Sequence, residues 1–337
     1  MKIQSSVFRK SISLVLAAVT ASGLLAGAAY AGDGTEAQGE RTVNIGIQPS
    51  AAFIPIFIAK EKGWLEEDLG EIGVTVNWIE FEAGPPMNES MASGSTDFGF
   101  LGDVPAVSAI AAGQDNVLVG IAAEAPEAYV LLASADNVEI SSVADLKGKT
   151  VGITVGSTAQ NVLEKLLEKN DLKSSDVQVV NISAGDAATA LTEKQTDAVL
   201  FWEPTPTRLI DQGLAKAVAD AGDADQLCVN PITARREYVE ANPDITQILL
   251  QDYQKGIDEV DSLDDETKEK IADYLSVDAA QYDTIASHYD YTLKIQDQDA
   301  DALQDVLQFL IDAGNVKNSY EVKDKFDASY LDAAGRT

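Results

Sequence analysis

Short apolar runs alternate with amphipathic segments along most of the chain. Residues 42–47 alternate apolar and polar side chains and predict a first strand, and residues 74–79 predict a second. Between them, residues 53–62 have the spacing of a helix. Further strands are predicted at 97–101, 117–121, 129–133, 150–154, 177–182 and 197–201, with helices between them and a helical, acidic region from 235 onward. The pattern predicts two α/β lobes of the parallel type, in which ligands bind at the carboxyl ends of the strands.

Residues 84–106 combine two predicted helix starts with one short strand. Gly84-Pro85-Pro86 begins the first helix, because proline suits a first turn in which its missing N–H would be unpaired anyway. Asp103 is expected to be the N-cap of the second helix, with Pro105 in its first turn. Each helix N-terminus follows a strand and can offer backbone N–H groups to an anion. We therefore expect a ligand here.

The N-terminal segment has the features of an export signal. Three basic residues precede an apolar run at 12–29, and Ala29-Tyr30-Ala31 forms a small-x-small cleavage site. We expect cleavage after Ala31 and a mature protein in the periplasm. No cysteine ends the apolar run, so a lipid anchor is not expected. Residues 32–41 form a polar N-terminal tether.

Length and charge limit the function classes. Removal of residues 1–31 leaves 306 residues. A chain of this length is usually too long to fold around a single hydrophobic core, so two lobes are expected. The remaining 21 Lys and Arg against 55 Asp and Glu give a net charge of −34, which disfavours nucleic acid as a partner and indicates a solvated acidic surface, suited to a saline habitat among others. One cysteine, Cys228, cannot form an internal disulfide and is expected to be buried. One histidine, His288, is more typical of packing or surface than of a metal or acid–base site, and no metal or cofactor is expected.

Several motifs together resemble one family. They are residues 48–53 (QPSAAF), 59–65 (AKEKGWL), 81–86 (FEAGPP) with 97–103 (DFGFLGD), 145–152 (DLKGKTVG), 156–158 (GST) and 197–204 with its Trp-Glu-Pro end. The chain resembles the periplasmic binding proteins of nitrate/sulfonate/taurine ABC importers over essentially its whole mature length. The resemblance implies a type II periplasmic-binding fold, in which two α/β lobes joined by two crossovers close on a ligand. The implied lobe one is 42–132 plus 233–337, and lobe two is 133–232.

Within that family the chain is most similar to the aliphatic sulfonate binders. The resemblance implies a monomeric receptor, not an enzyme, that passes a small organic anion to a membrane permease. It also implies ligand contacts from the turn after the first strand, the Gly-Pro loop, the Gly-Asp turn and the Gly-Ser-x-Ala turn. In this sequence the implied residues are Gln48, Ser50, Ala52, Phe53, Gly84, Pro85, Gly102, Asp103, Ser157, Thr158 and Gln160.

The chemistry of these residues suits a sulfonate. It is a monoanion with three acceptor oxygens, which backbone N–H groups and Ser or Thr hydroxyls satisfy without a basic side chain. Trp202 is a candidate to cover the apolar part of an organic ligand, and Glu203 either caps a helix or meets an ammonium group. Asp103 is a second candidate partner for an ammonium, so an alkanesulfonate and a taurine-like ligand both stay open.

Other ligands and one enzyme class remain as alternatives to a sulfonate receptor. Nitrate, bicarbonate and a thiamin-pyrimidine precursor are alternative solutes for the same receptor role, although a planar inorganic anion favours a small pocket with Lys or His. A pyrimidine-synthase-like enzyme is the remote alternative. That chemistry needs an active-site histidine, a cofactor lysine and a cysteine-rich segment, which one histidine and one cysteine do not favour.

Overall fold

Two mixed β-sheets flanked by helices make up the fold in the computed structural model, which describes residues 41–333. The predicted signal segment lies outside the described residues, as does the predicted tether apart from Arg41. In the described part of the chain, every helix is too short or too polar to cross a membrane.

The first sheet has six strands in the order β11-β4-β10-β3-β1-β2. β1 runs parallel to β2 and β3, whereas β10 runs antiparallel to β3 and β4. We call this sheet and its helices the first lobe. Its strands are β1 Arg41–Ile47, β2 Val74–Glu80, β3 Phe98–Phe100, β4 Asn116–Glu124, β10 Asn230–Arg235 and β11 Asp290–Tyr291.

The second sheet repeats the arrangement with five strands in the order β7-β6-β8-β5-β9. β6 is parallel to β7 and β8, and β5 is antiparallel to β8 and β9. This sheet and its helices are the second lobe. Its strands are β5 Tyr129–Ser134, β6 Thr150–Ile153, β7 Gln178–Asn181, β8 Ala198–Trp202 and β9 Ala215–Asp220.

Helices cover both sheets. In the second lobe these are α5 Thr158–Lys169, α6 Ala187–Thr192 and α7 Thr205–Asp211. In the first lobe they are α1 Ile54–Lys62, α2 Trp64–Glu71, α3 Gly84–Ala92, α4 Asp103–Ala111, α8 Arg236–Ala241, α9 Pro243–Glu259, α10 Asp265–Leu275, α11 Tyr282–Ala286, α12 Asp297–Asp312 and α13 Ser329–Ala333.

Both sheets contain antiparallel strands, whereas sheets of the parallel type were expected. β5 and β10 are the first strands after the two crossings between lobes, and each enters its sheet from the other lobe. The crossings lie at residues 125–128 and 221–229, a few residues before the predicted boundaries at 132 and 232. Apolar periodicity does not encode strand direction, so the sequence pattern could not reveal this difference.

An aspartate with the same kind of hydrogen bond precedes β3 in the first lobe and β8 in the second. Asp97 accepts hydrogen bonds from the backbone N–H and the side-chain amide of Asn44 at 2.9 and 2.8 Å. Asp197, at the matching place, accepts from the backbone N–H of Thr150 at 2.8 Å. Each aspartate therefore ties the start of its strand to the neighbouring strand. The opposite ends of these strands face the space between the lobes.

Candidate functional site

A cavity lies between the two sheets, where loops from both lobes meet. Its empty volume is about 290 Å³, counting all space between the atoms including the part open to solvent. Its wall combines hydroxyl and amide side chains with aromatic rings. The lining residues are Gln48, Ser50, Phe53, Gly84, Gly102, Pro105, Tyr129, Ser157, Thr158, Trp202 and Asn230.

Three helices begin at this cavity without a capping bond from their N-cap side chain. They are α3 after Ala83, α4 after Gly102 and α5 after Ser157. The first N–H groups of a helix have no carbonyl partner within it, although the prolines at 85, 86 and 105 carry no N–H, and the helix dipole adds positive potential there. Two lobes thus direct uncapped N-termini at one small space, which favours an anion.

Asp103 connects the two lobes beside the cavity. Its carboxylate is buried, at 2% exposure, and accepts a hydrogen bond from the hydroxyl of Thr158 at 2.5 Å. The same oxygen accepts from the backbone N–H of Val104 at 2.6 Å. We call the Thr158–Asp103 hydrogen bond the Asp103 bridge. Burial raises the pKa of Asp103 from 3.8 to about 6, although the bonds from Thr158 and Val104 oppose that rise.

Asp103 was expected to be the N-cap of its helix, and this is wrong by one residue. Gly102 is the N-cap, in an extended conformation, and Asp103 is the first residue of α4. The reason is that the carboxylate bonds to the neighbouring Val104 N–H and across the lobe interface to Thr158. It therefore already occupies part of the helix N-terminus that was predicted to receive an anion.

Two glycines permit the close approach of elements at the cavity. A Cβ on Gly84 would lie 2.5 Å from Cγ of Pro105, and a Cβ on Gly102 would overlap the hydroxyl of Thr158. Neither glycine has a positive φ, so packing rather than backbone conformation requires the missing side chain. At Gly102 the contact is between lobes, and closure of the cavity depends on it.

Glu203 forms a second connection between lobes. Its carboxylate lies 3.2 Å from Nδ1 of His288 in the first lobe, and its backbone carbonyl accepts from the N–H of Ala51 at 3.2 Å. The carboxylate also accepts from the hydroxyl and N–H of Thr207 near the start of α7, at 2.8 and 3.2 Å. The hydrogen bond to Glu203 raises the pKa of His288 above 6.5, although burial opposes this. We call the Glu203–His288 pair the Glu203 bridge.

The floor of the cavity is made where the chain crosses between lobes. The hydroxyl of Tyr129, the first residue of β5, donates to Oδ1 of Asn230, the first residue of β10, at 3.3 Å. The side-chain amide of Gln48 donates to the carbonyl of Phe100 at 2.9 Å. The ring of Trp202 lies 6.4 Å from that of Tyr129, centroid to centroid. Aromatic surface and fixed polar groups therefore meet at the floor.

Most of the predicted site residues come together. Those on the cavity wall are Gln48, Ser50, Phe53, Gly84, Gly102, Ser157, Thr158 and Trp202. Five others lie off the wall, namely Ala52, Pro85, Asp103, Gln160 and Glu203. Of these, Pro85 borders an outer groove between the lobes, and Gln160 accepts from the N–H of Gly156 at 2.9 Å. Ligand contact by any of the thirteen stays a prediction.

Sequence reasoning missed three wall residues and the role of His288. Pro105 was considered only as a helix-start residue, although its ring lines the cavity. Tyr129 and Asn230 lie two or three residues before the implied lobe boundaries at 132 and 232, and that position at the junction of two lobes was the available signal. His288 is half-buried and paired with Glu203 rather than merely packed or exposed, and no sequence spacing relates these two residues.

Comparisons with known proteins agree with this architecture. A protein of Escherichia coli (strain K12) named for binding aliphatic sulfonates is 35% identical over 214 residues, which cover 64% of this chain and 65% of that relative, just under two thirds of its length. A protein of Bacillus subtilis (strain 168) named in the same way is 28% identical over 312 residues, covering 92% of this chain and 93% of the relative.

Structural similarity is broad as well. The crystal structure of the periplasmic aliphatic sulphonate binding protein SsuA from Escherichia coli superposes with a TM-score of 0.74 at 28% identity, covering 85% of this chain and 97% of that one. The predicted fold class is thereby confirmed. The family model described as "NMT1/THI5 like" matches residues 50–263, well over half of the chain. The predicted membership is confirmed, and this chain belongs to the NMT1/THI5-like family.

Proposed function

We propose that this protein is the extracytoplasmic solute-binding component of an ABC importer, and that it captures an organosulfonate in the cavity between its lobes. The observation that carries the proposal is the wall itself, which presents hydroxyls, amides and uncapped helix N-termini but, among the described residues that line it, no lysine, arginine or histidine. Three sulfonate oxygens can accept from such neutral donors. The relatives named for aliphatic sulfonates support the same ligand class.

The aromatic part of the wall favours an organic ligand over a bare inorganic anion. Phe53, Tyr129 and Trp202 place apolar surface opposite the helix N-termini. An alkyl group attached to the sulfonate would bury against these rings, which is favourable by about 25 cal/mol per Å² of apolar surface. Nitrate and bicarbonate have no such group, so they are the weaker candidates for this cavity.

The wider assignment follows from the receptor role. We infer export with cleavage after Ala31, no lipid anchor, residence in the periplasm and delivery of the ligand, as a monomer, to a membrane permease. The matched relatives are binding proteins, which supports a receptor rather than an enzyme. In the described wall no cysteine, lysine or histidine is present to serve a pyrimidine-synthase type of reaction.

A thermal-shift screen of residues 32–337, freed of co-purified ligand, tests the proposal. The panel contains ethanesulfonate, longer alkanesulfonates, taurine, nitrate, bicarbonate and a pyrimidine alcohol. A ligand that binds only the folded protein stabilises it by about 2.7 kcal/mol at a hundred times its dissociation constant. We expect alkanesulfonates to raise the midpoint and nitrate to leave it unchanged.

A matched pair of variants locates the effect. Thr158→Val removes one wall hydroxyl at nearly constant shape and should reduce the sulfonate shift, whereas Thr192→Val changes an exposed threonine away from the cavity and should not. A response to nitrate or the pyrimidine alcohol with none to any sulfonate would refute the ligand class. Equal shifts in both variants would refute the location.

A further inference from the structure

Asp103 is a buried carboxyl group beside an anion-binding cavity, with no cation to balance it. It is 2% exposed, and within the described part of the chain no lysine, arginine or histidine forms an ion pair with it. Its partners are the Thr158 hydroxyl at 2.5 Å and the Val104 N–H at 2.6 Å. A bound sulfonate would need the same two helix N-termini that this carboxylate now uses.

The groups that face Asp103 from neighbouring elements are neutral. α5 presents Thr158, β5 presents the phenol of Tyr129, and the segment before β10 presents the thiol of Cys228. Burial holds the pKa of both Tyr129 and Cys228 well above their usual values, so neither ionises near neutral pH. Nothing on these elements supplies the positive charge that two adjacent anions would require.

Two negative charges in one buried space repel each other strongly, because low polarisability of the surroundings reduces screening. A proton on Asp103 removes this repulsion and converts the carboxyl from an acceptor into a donor. We propose that Asp103 takes up one proton from the solvent when a singly charged anion fills the cavity, and that this makes the site select monoanions over dianions. The inference rests on the proposed function, because it assumes that the cavity binds an anion.

The rejection of dianions follows from the rest of the wall. One proton on Asp103, which lies beside the wall, offsets the arrival of one negative charge, and the wall side chains themselves are amides, hydroxyls, rings and aliphatic groups. A dianion such as sulfate would bring a second charge that no wall group can neutralise. The pKa of about 6 for Asp103 in the closed, empty cavity places this proton uptake near neutral pH, since an added anion moves that pKa further upward.

Isothermal titration of the exported protein with ethanesulfonate and with sulfate tests this directly. Titrations run from pH 6.5 to 8.5 in pairs of buffers that lack sulfonate groups and differ in ionisation enthalpy, so that proton uptake is read from the difference in heat. For the wild type we expect uptake approaching one proton and an affinity for ethanesulfonate that falls up to tenfold per pH unit. Asp103→Asn should take up none, show less than about a twofold change per pH unit, and bind sulfate more tightly than the wild type does.

Two controls separate Asp103 from other titrating groups. Asp252 is a buried carboxyl in α9 whose pKa is also raised to about 6 by burial, but it lies away from the cavity, so Asp252→Asn should keep the wild-type proton uptake. His288→Gln removes the imidazole between the lobes, whose pKa is raised above 6.5 by Glu203, and this variant should also retain most of the uptake.

Each remaining outcome overturns the inference. Sulfonate binding without proton uptake, or an unchanged slope in Asp103→Asn, leaves the proposed function intact and refutes the role of Asp103. Tighter binding of taurine than of ethanesulfonate at pH 8.5 without proton uptake would show an ionised Asp103 paired with an ammonium group instead. If the wild type binds no sulfonate at any pH, the proposed function fails together with the inference.

Discussion

Two carboxyl groups connect the lobes, and their surroundings differ. Asp103 faces a hydroxyl and a backbone N–H, with no cation beside it, whereas Glu203 faces the imidazole of His288 as well as Thr207. Both are almost completely buried, at 2% and 1% exposure. The comparison shows that one residue class can serve opposite purposes at a single interface. Charge strengthens the pairing of Glu203 with His288. Burial favours the neutral form of Asp103, although its two hydrogen bonds favour the charged form.

The pH dependences of the two bridges have the same sign but occupy different ranges. The pKa of Asp103 is raised from 3.8 to about 6, so its contribution is complete below pH 3.8 and is lost as the pH rises through 6. The pKa of His288 is raised above 6.5, so the Glu203 bridge is fully formed below 6.5 and weakens as the pH rises through that higher value. Mild alkalinity therefore weakens the Glu203 bridge, whereas Asp103 has already ionised at lower pH, where burial of its charge becomes costly.

The largest expected effect comes from blocking the Asp103 bridge with Gly102→Ala. The new Cβ overlaps the Thr158 hydroxyl, and overpacking of this kind costs about 1–3 kcal/mol. The clash lies between the lobes in the described, empty structure, so we expect the sulfonate affinity to fall roughly 10- to 100-fold and the stability of the empty protein to fall as well. Titration calorimetry measures the affinity.

Gly70→Ala is the matched control for this substitution. Gly70 lies in α2, has no atom near its added Cβ and does not have a positive φ, so alanine there should leave the affinity unchanged. An unchanged affinity in Gly102→Ala would mean that the bound form is more open than the structure described here.

The next effect tests the Glu203 bridge. Glu203→Gln keeps the shape of the side chain but removes the charge that pairs with His288, and we expect the free energy of unfolding to fall by about 1–2 kcal/mol at pH 6. As the pH rises from 6 towards 8.5, the wild-type imidazole loses its charge when its raised pKa is passed, so the difference should shrink. Urea denaturation at the two pH values measures it, and a difference that is the same at both would contradict a charge-dependent bridge.

The comparison also shows how much of the structure could be predicted from the sequence. The βα pattern, the helix starts at Gly84 and Ser157 and most of the wall were predictable, because they depend on periodicity and on local start signals. The Asp103 and Glu203 bridges were not predictable, since each joins residues 55 or 85 positions apart. Contacts of that kind depend on the closure of two lobes, which no local pattern specifies.

The same limit applies to the wall residues that were missed. Tyr129 and Asn230 are 101 positions apart and meet only because the chain crosses between lobes twice. The family resemblance implied lobe boundaries near these crossings, but no pattern specified the side chains that the crossings place in the cavity. The strand directions of β5 and β10 were missed for the same physical reason, because the lobe from which a strand enters is a property of the whole fold.

The smallest effect should distinguish Asp103 from a carboxyl of similar pKa that has a cation. Asp103→Asn removes an unbalanced buried charge, so at pH 7.5 the unfolding free energy of the empty protein should rise by about 1 kcal/mol. At pH 4, where Asp103 is largely protonated when folded, the gain should vanish. Asp252 has a pKa also raised to about 6, yet it lies 2.6 Å from Nζ of Lys255, so Asp252→Asn should give a smaller gain at pH 7.5, because it also removes that ion pair. Denaturant titrations of both variants decide the matter, because a loss of stability in Asp103→Asn at pH 7.5 would mean that its charge is balanced after all.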